Sequence, residues 1–150
     1  MSNASSSGYK SPTSRQNSNI SPSVSNITSE SQFDSLLSSS RRAPFSGIGQ
    51  TLSGKVIDSG INLKNLVLMI GASWCGPCRS MKPFFQELSR RYSATFAYVD
   101  VDTVPSISER LRAHSLPTFI IFGGNDSKIK EINRIVGADK NGLVAALSKL

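Results

Sequence analysis

The fold class that this sequence predicts is α/β, with a central mixed β-sheet flanked by helices, and three observations predict it. Leu66-Val67-Leu68-Met69-Ile70 is a continuous apolar run, as a strand buried on both faces requires. In the stretch after it, Met81, Phe84, Phe85 and Leu88 fall at i, i+3, i+4 and i+7, one face of a helix. Near the end, the runs Thr118–Phe122 and Ile129–Val136 are separated by Gly123-Gly124-Asn125-Asp126, a turn signal between paired strands. A right-handed βαβ crossover followed by such a hairpin makes a mixed sheet.

Taken in order, the chain changes character near residue 63. With 150 residues it has the length of one domain and a tail. Residues 1–62 are dominated by Ser, Asn and Gly, and residues 63–150 carry nearly all the branched aliphatics, so the second part buries the core. Residues 1–23 hold no acidic residue and only Lys10 and Arg15 as charges, the composition of a disordered extension. In Ile27 to Leu37, Phe33, Leu36 and Leu37 share one helical face, Thr28 or Ser29 is placed to cap the helix, and Ser29 and Gln32 have capping-box spacing. A domain over 24–150 then contains a loop insertion at about 38–62, with Arg41-Arg42, Pro44 and several glycines. The other reading makes all of 1–62 an extension. After the central strand come a helix over Arg79–Tyr92, a strand over Thr95–Asp100 and a short helix over Ser106–Arg112 with Ile107 and Leu111 inward. Pro117 starts the hairpin, and Asp139 is placed to cap a last helix, Lys140–Leu150, with Leu143, Val144 and Leu147 inward.

The chemistry concentrates in Trp74-Cys75-Gly76-Pro77-Cys78, which holds both cysteines of the chain. It lies between the central strand and the helix after it. A helix N-terminus offers partial positive charge and free N–H groups, which stabilise a thiolate, the form that attacks disulfides. Cys75 is therefore the expected nucleophile. The spacing lets Cys78 attack a mixed disulfide on Cys75, so the pair can cycle between dithiol and disulfide. A zinc site competes poorly, because two Cys and the single His114 do not close a four-ligand structural set. A purely structural disulfide across so short a loop stabilises little. Redox chemistry is the favoured reading, and no metal is expected.

Five segments together resemble the thioredoxin family over residues from about 63 to 150. They are the Trp-Cys-Gly-Pro-Cys pentad; Pro83, five residues after Cys78; Tyr98-Val99-Asp100-Val101-Asp102; Leu116-Pro117-Thr118; and Ile135-Val136-Gly137-Ala138. Ile27 to Leu37 also resembles the end of that family's first strand and its first helix. The resemblance implies the thioredoxin fold, Cys75 as nucleophile and Cys78 as resolving thiol. It implies an active-site turn of Trp74, Gly76, Pro77 and Arg79, and a substrate groove at Leu116, Pro117 and Gly137, with Pro117 the family's cis-proline. The implied function is a protein-disulfide reductase and electron carrier of cell redox homeostasis. It binds no cofactor and is recycled with NADPH by a thioredoxin reductase, its partner alongside protein disulfide substrates. The alternative function is an interaction module of the same fold with minor redox turnover.

Two departures bear on rate. Thioredoxins commonly carry a buried Asp six residues before the first cysteine, where this chain has Met69, and a lysine on the next strand, where it has Tyr98. Slower resolution of mixed disulfides is expected. Gly71 also replaces a usual aromatic, which thins the packing beneath the site.

The formal charge of +7 divides as about +2 over residues 1–62 and +5 over 63–150, and is read as solvated helix faces. No aromatic and basic interleaving suggests a nucleic-acid partner. The longest apolar run is too short to span a membrane, and no apolar signal region opens the chain. A cytoplasmic monomer is expected, with mitochondrial localisation the alternative if residues 1–23 are a transit peptide.

Overall fold

The computed structural model describes residues 24–39, 65–125 and 128–150. The expected extension at 1–23 and most of the expected insertion at 38–62 lie outside them. The elements run β1 (Ser25–Ile27), α1 (Glu30–Ser39), β2 (Asn65–Gly71), α2 (Gly76–Arg91), β3 (Thr95–Asp100), α3 (Pro105–Arg110), β4 (Thr118–Asn125), β5 (Lys128–Val136) and α4 (Lys140–Leu147).

The five strands form one sheet in the order β1-β3-β2-β4-β5. β1, β3 and β2 are mutually parallel, while β4 runs antiparallel to β2 and β5 antiparallel to β4. The central apolar run is thus the middle strand, and Leu66 to Ile70 are fully buried because helices cover both faces. This is the thioredoxin fold, a mixed sheet between helices.

Alternation along each strand divides the core into two layers. Val67, Met69, Phe96, Tyr98, Phe119 and Ile121 face the layer that contains Met81, Phe85 and Leu88 of α2 and Leu143 and Leu147 of α4. Phe85 meets Phe96 edge-on at 5.1 Å between ring centroids and Phe119 in a tilted pair at 5.7 Å. Such pairs add to simple burial. Leu66, Leu68, Ile70, Ala97, Val99, Ile120 and Phe122 face the other layer, with Phe33 of α1 and Ile107 of α3.

Several element boundaries differ from the sequence expectation, each for a local reason. α2 begins at Gly76, inside the cysteine motif, because Cys75 supplies the cap; at the other end Tyr92 is extended. α3 ends at Arg110, where the chain reverses through Arg112 at φ 53°. β4 continues through Gly123 to Asn125 past a bulge at Ile121/Phe122, so these three residues, expected in the turn, belong to the strand. α4 stops at Leu147, and Leu150 is exposed. The capping of α1 is shared: Ser29 Oγ accepts from Gln32 N–H at 3.2 Å, and Gln32 Oε1 accepts from Thr28 N–H at 2.9 Å. Asp139 caps α4, its Oδ1 accepting from Gly142 N–H at 2.8 Å.

Candidate active site

The site lies at the C-terminal ends of β2 and β3, where α2 starts. Gly71 ends β2, and its carbonyl accepts from Val101 N–H at 2.9 Å; Cys75 N–H then bonds back to Ala72 O at 3.2 Å. This compact turn delivers Cys75 to the N-cap of α2, with φ −84° and ψ 110°. A cap side chain ordinarily offers an oxygen to a free N–H of the first turn. Here the acceptor is sulfur: Cys78 N–H donates to Cys75 Sγ at 3.2 Å. The helix N-terminus is therefore aimed at the first cysteine, and its partial positive charge favours negative charge there.

Cys75 and Cys78 are joined as a disulfide, with Cα atoms 5.2 Å apart. Cys78 is 1% exposed and Cys75 6%, which leaves Cys75 as the sulfur an incoming group reaches first. Pro77 stands in the first turn, where its missing N–H costs nothing, and Pro83 lies inside α2, where the Arg79 carbonyl loses its helical donor.

Acidic side chains tie the motif to the turn after β3. Asp100 Oδ2 accepts from Ser73 N–H at 3.2 Å, and its Oδ1 accepts from Asp102 N–H at 2.9 Å. Asp102 Oδ2 in turn accepts from the Trp74 indole N–H at 2.8 Å. Trp74 is 66% exposed, so its ring is a presented surface held at one edge by a hydrogen bond. The Asp-x-Asp segment was legible in the sequence, but its work as a clamp on the loop before Cys75 was not. The pairing of β2 with β3 in register, Gly71 beside Asp100, creates it.

The Leu116–Pro117 peptide bond is cis. Pro117 O accepts from Gly137 N–H at 2.7 Å, which joins the start of β4 to the end of β5. Gly137 has φ +91°, a conformation that favours glycine, although a Cβ there would meet nothing within 4 Å. Backbone conformation, not crowding, selects the residue. Leu116 is half-buried and packs against the core layer that contains both cysteines. Arg79 and Gly76 are exposed in the first turn of α2. His114 is exposed in the segment before β4.

Beneath the disulfide the surroundings are unlike the rest of the core. Met69 is fully buried and registered beside Tyr98. A Cβ on Gly71 would lie 3.2 Å from both Cys78 Sγ and Tyr98 Cε2, so a side chain there would crowd both the sulfur and the ring. Lys82 Nζ lies over that ring, 3.9 Å from its centroid. Burial, and then the neighbouring Asp100 carboxylate, push the Tyr98 phenol above its ordinary value. Lys82 was not singled out in the sequence, although its i+4 spacing from Cys78 was a usable signal. Among the described residues no three His, Cys, Asp or Glu side chains are grouped to hold a metal ion. Nor, among them, is any helix long and apolar enough to cross a membrane.

Comparison with known proteins agrees with this geometry. The thioredoxin family model matches residues 51–149. Thioredoxin H2-1 of Oryza sativa subsp. japonica is 39% identical over 88 residues, 58% of this chain and 61% of that one. Thioredoxin H2-2 of the same species is 36% identical over 81 residues and is spanned over 58% of its length, so the chain matches about three fifths of each rice protein. The thioredoxin of Coprinus comatus is 36% identical over 98 residues, 63% of this chain and 86% of that one. Among solved structures, thioredoxin NaTrxh from Nicotiana alata superposes with a TM-score of 0.65 and 26% identity, covering 87% of this chain and 95% of that one. A cysteine-capped helix at the end of a central parallel strand, a cis-proline at the neighbouring strand and the family match over most of the folded part lead to one conclusion: the chain belongs to the thioredoxin family.

Proposed function

We propose that this chain reduces disulfides in other proteins by dithiol–disulfide exchange, and the observation that carries the reading is the redox pair itself. Cys75 caps α2 with its sulfur accepting the Cys78 N–H, and Cys78 is bonded to it from inside the core. In the reduced chain the same N–H and the helix N-terminus stabilise the Cys75 thiolate. That thiolate attacks one sulfur of a target disulfide, and the target's other sulfur leaves. Cys78 then loses its proton and attacks Cys75, which restores the internal disulfide and releases the reduced target.

Trp74, Gly76, Pro77 and Arg79 border the attacking sulfur. Leu116, Pro117 and Gly137 supply a wall against which an extended target segment pairs. The oxidised chain is recycled by a thioredoxin reductase drawing on NADPH, and the chain serves as an electron carrier in redox homeostasis of the cytoplasm, as a monomer. No bound cofactor is needed, because the Cys75–Cys78 dithiol itself carries both electrons and gives them up as its disulfide forms. Met69 and Gly71 favour a second reading, an interaction module with minor turnover, since neither offers the buried acid that speeds resolution in relatives.

The deciding experiment is NADPH-coupled reduction of a protein disulfide in the presence of thioredoxin reductase. Turnover by the intact chain and its loss in Cys75→Ser are expected. A folded dithiol chain without turnover would favour the interaction module.

A further inference from the structure

We propose that Lys82, held against the face of Tyr98, is the cation that stabilises the thiolate of Cys78 during resolution, and that Tyr98 is the positioning residue that keeps it there. The inference rests on the disulfide-reductase reading and deepens it. Four observations carry it. Lys82 follows Cys78 by one helical turn, so the two side chains are neighbours on one face of α2. Its ammonium lies 3.9 Å from the Tyr98 ring centroid, within cation–π range. The edge of the same ring and the Cys78 sulfur both border the gap left by Gly71, each 3.2 Å from one point. The residue registered beside Tyr98 on β2 is Met69, which brings no charge.

The ring thus acts as a spacer with two contacts. Its face carries the ammonium, and its edge borders the same gap at Gly71 as the resolving sulfur. Tyr98 stays neutral well past neutrality, because burial and the nearby Asp100 hold its proton, so the ring offers a π face throughout the working range. Among the described residues, the other charged or titratable groups around Cys78 are few. β3 and the turn after it add Asp100 and Asp102, whose charge opposes a thiolate. Their carboxylates are engaged by the Ser73 and Asp102 N–H groups and the Trp74 indole. α2 adds Cys75 and the exposed Arg79, and the segment before β4 adds the exposed His114. β2, through Met69 and Gly71, and β4, through Phe119, add no titratable group.

In the step concerned, Cys78 gives its proton to water and its thiolate attacks the Cys75 sulfur. The Cys75–Cys78 bond forms as the bond from Cys75 to the target sulfur breaks. The electron pair leaves with the target sulfur, which takes a proton from water. A nearby cation lowers the energy of the Cys78 thiolate and so moves this step to lower pH.

The test uses the full chain, reduced and then mixed with excess of a peptide disulfide. Acid quenching and mass spectrometry follow the mixed disulfide and its resolution as a function of pH. Lys82→Met, a change at an exposed side chain, is expected to raise the pH of half-maximal resolution by about half a unit, with the shift shrinking as salt is added. Tyr98→Leu is expected to shift it in the same direction, and the double variant no further than either single one. Tyr98→Phe, which keeps the ring, is expected to rescue the profile lost in Tyr98→Leu. A Lys82→Met profile superimposed on that of the unsubstituted chain overturns the inference, as do Tyr98→Leu and Lys82→Met shifts that add in full. Those results leave the reductase reading intact, whereas an unsubstituted chain that forms no mixed disulfide at any pH overturns both.

Discussion

Tyr98 and Thr95, two positions on β3, show how a single side chain's surroundings set its contribution. The Tyr98 phenol is raised above its ordinary value, first by burial and then by Asp100. A raised folded value means stabilisation that is fully present below the unfolded value of about 10 and lost as pH rises through the folded one. Denaturant midpoints should therefore fall more steeply between about pH 9 and 11 for the unsubstituted chain than for Tyr98→Phe. Parallel declines would remove Tyr98 as the cause. Thr95 Oγ1 is buried with no hydrogen-bond partner among the described residues. A buried hydroxyl without a partner costs free energy, and valine keeps the shape. Thr95→Val should be neutral or stabilise by up to about 1 kcal/mol in urea unfolding. Neither position could be ranked from sequence, because burial and partners depend on what the other strands bring alongside.

At the level of elements, capping decides where helices begin, and most of it was readable. Ser29 with Gln32 and Asp139 were expected as caps from residue type and spacing, and both cap their helices, although Gln32 answers to Thr28 N–H instead of Ser29 N–H. The start of α2 was placed too late, because a cysteine sulfur serves as its cap and residue preferences do not weigh that. The clamp that steadies the loop before α2 was not readable at all. Asp100 reaches Ser73 across 27 positions of sequence through strand pairing. Asp100→Ala should speed amide hydrogen exchange at Ser73 and Asp102 about tenfold, the loss of roughly 1.4 kcal/mol at each, and leave the interior of α4 unchanged. The ion pair of Arg110 with Asp34, at 2.8 Å and about half exposed, joins α3 to α1 and contributes little by comparison.

For the molecule as a whole, the sheet order sets what surrounds the redox pair. Placing β2 between β3 and β4 buries Met69 completely, in the layer shared with Tyr98, Phe119 and Cys78. A carboxyl introduced there would be desolvated and would hold its proton to unusually high pH, the property a proton acceptor for Cys78 needs. Met69→Asp should therefore reduce protein disulfides faster while costing about 2–4 kcal/mol of stability for the buried polar group and lost packing. Equal reduction rates from about pH 6 to about pH 9 would show that the missing acid does not limit resolution. The same topology brings Pro117 and Gly137, 20 positions apart, into hydrogen-bonded contact.

Local pattern in the sequence determined the elements, the hairpin, the caps of α1 and α4 and the identity of the redox cysteines, because each depends on residues only a few positions apart. An apolar run, a helical stripe and a Cys-Gly-Pro-Cys turn carry their physics within one or two turns of chain. Tertiary structure alone decided the pairing of Ser25–Ile27 with β3, the Asp100–Asp102 clamp and the stacking of Lys82 on Tyr98. It also decided the isomer of the Leu116–Pro117 bond. These join separate segments, and which segments meet follows from the packing of the whole sheet and its helices, where burial and close approach outweigh local preference.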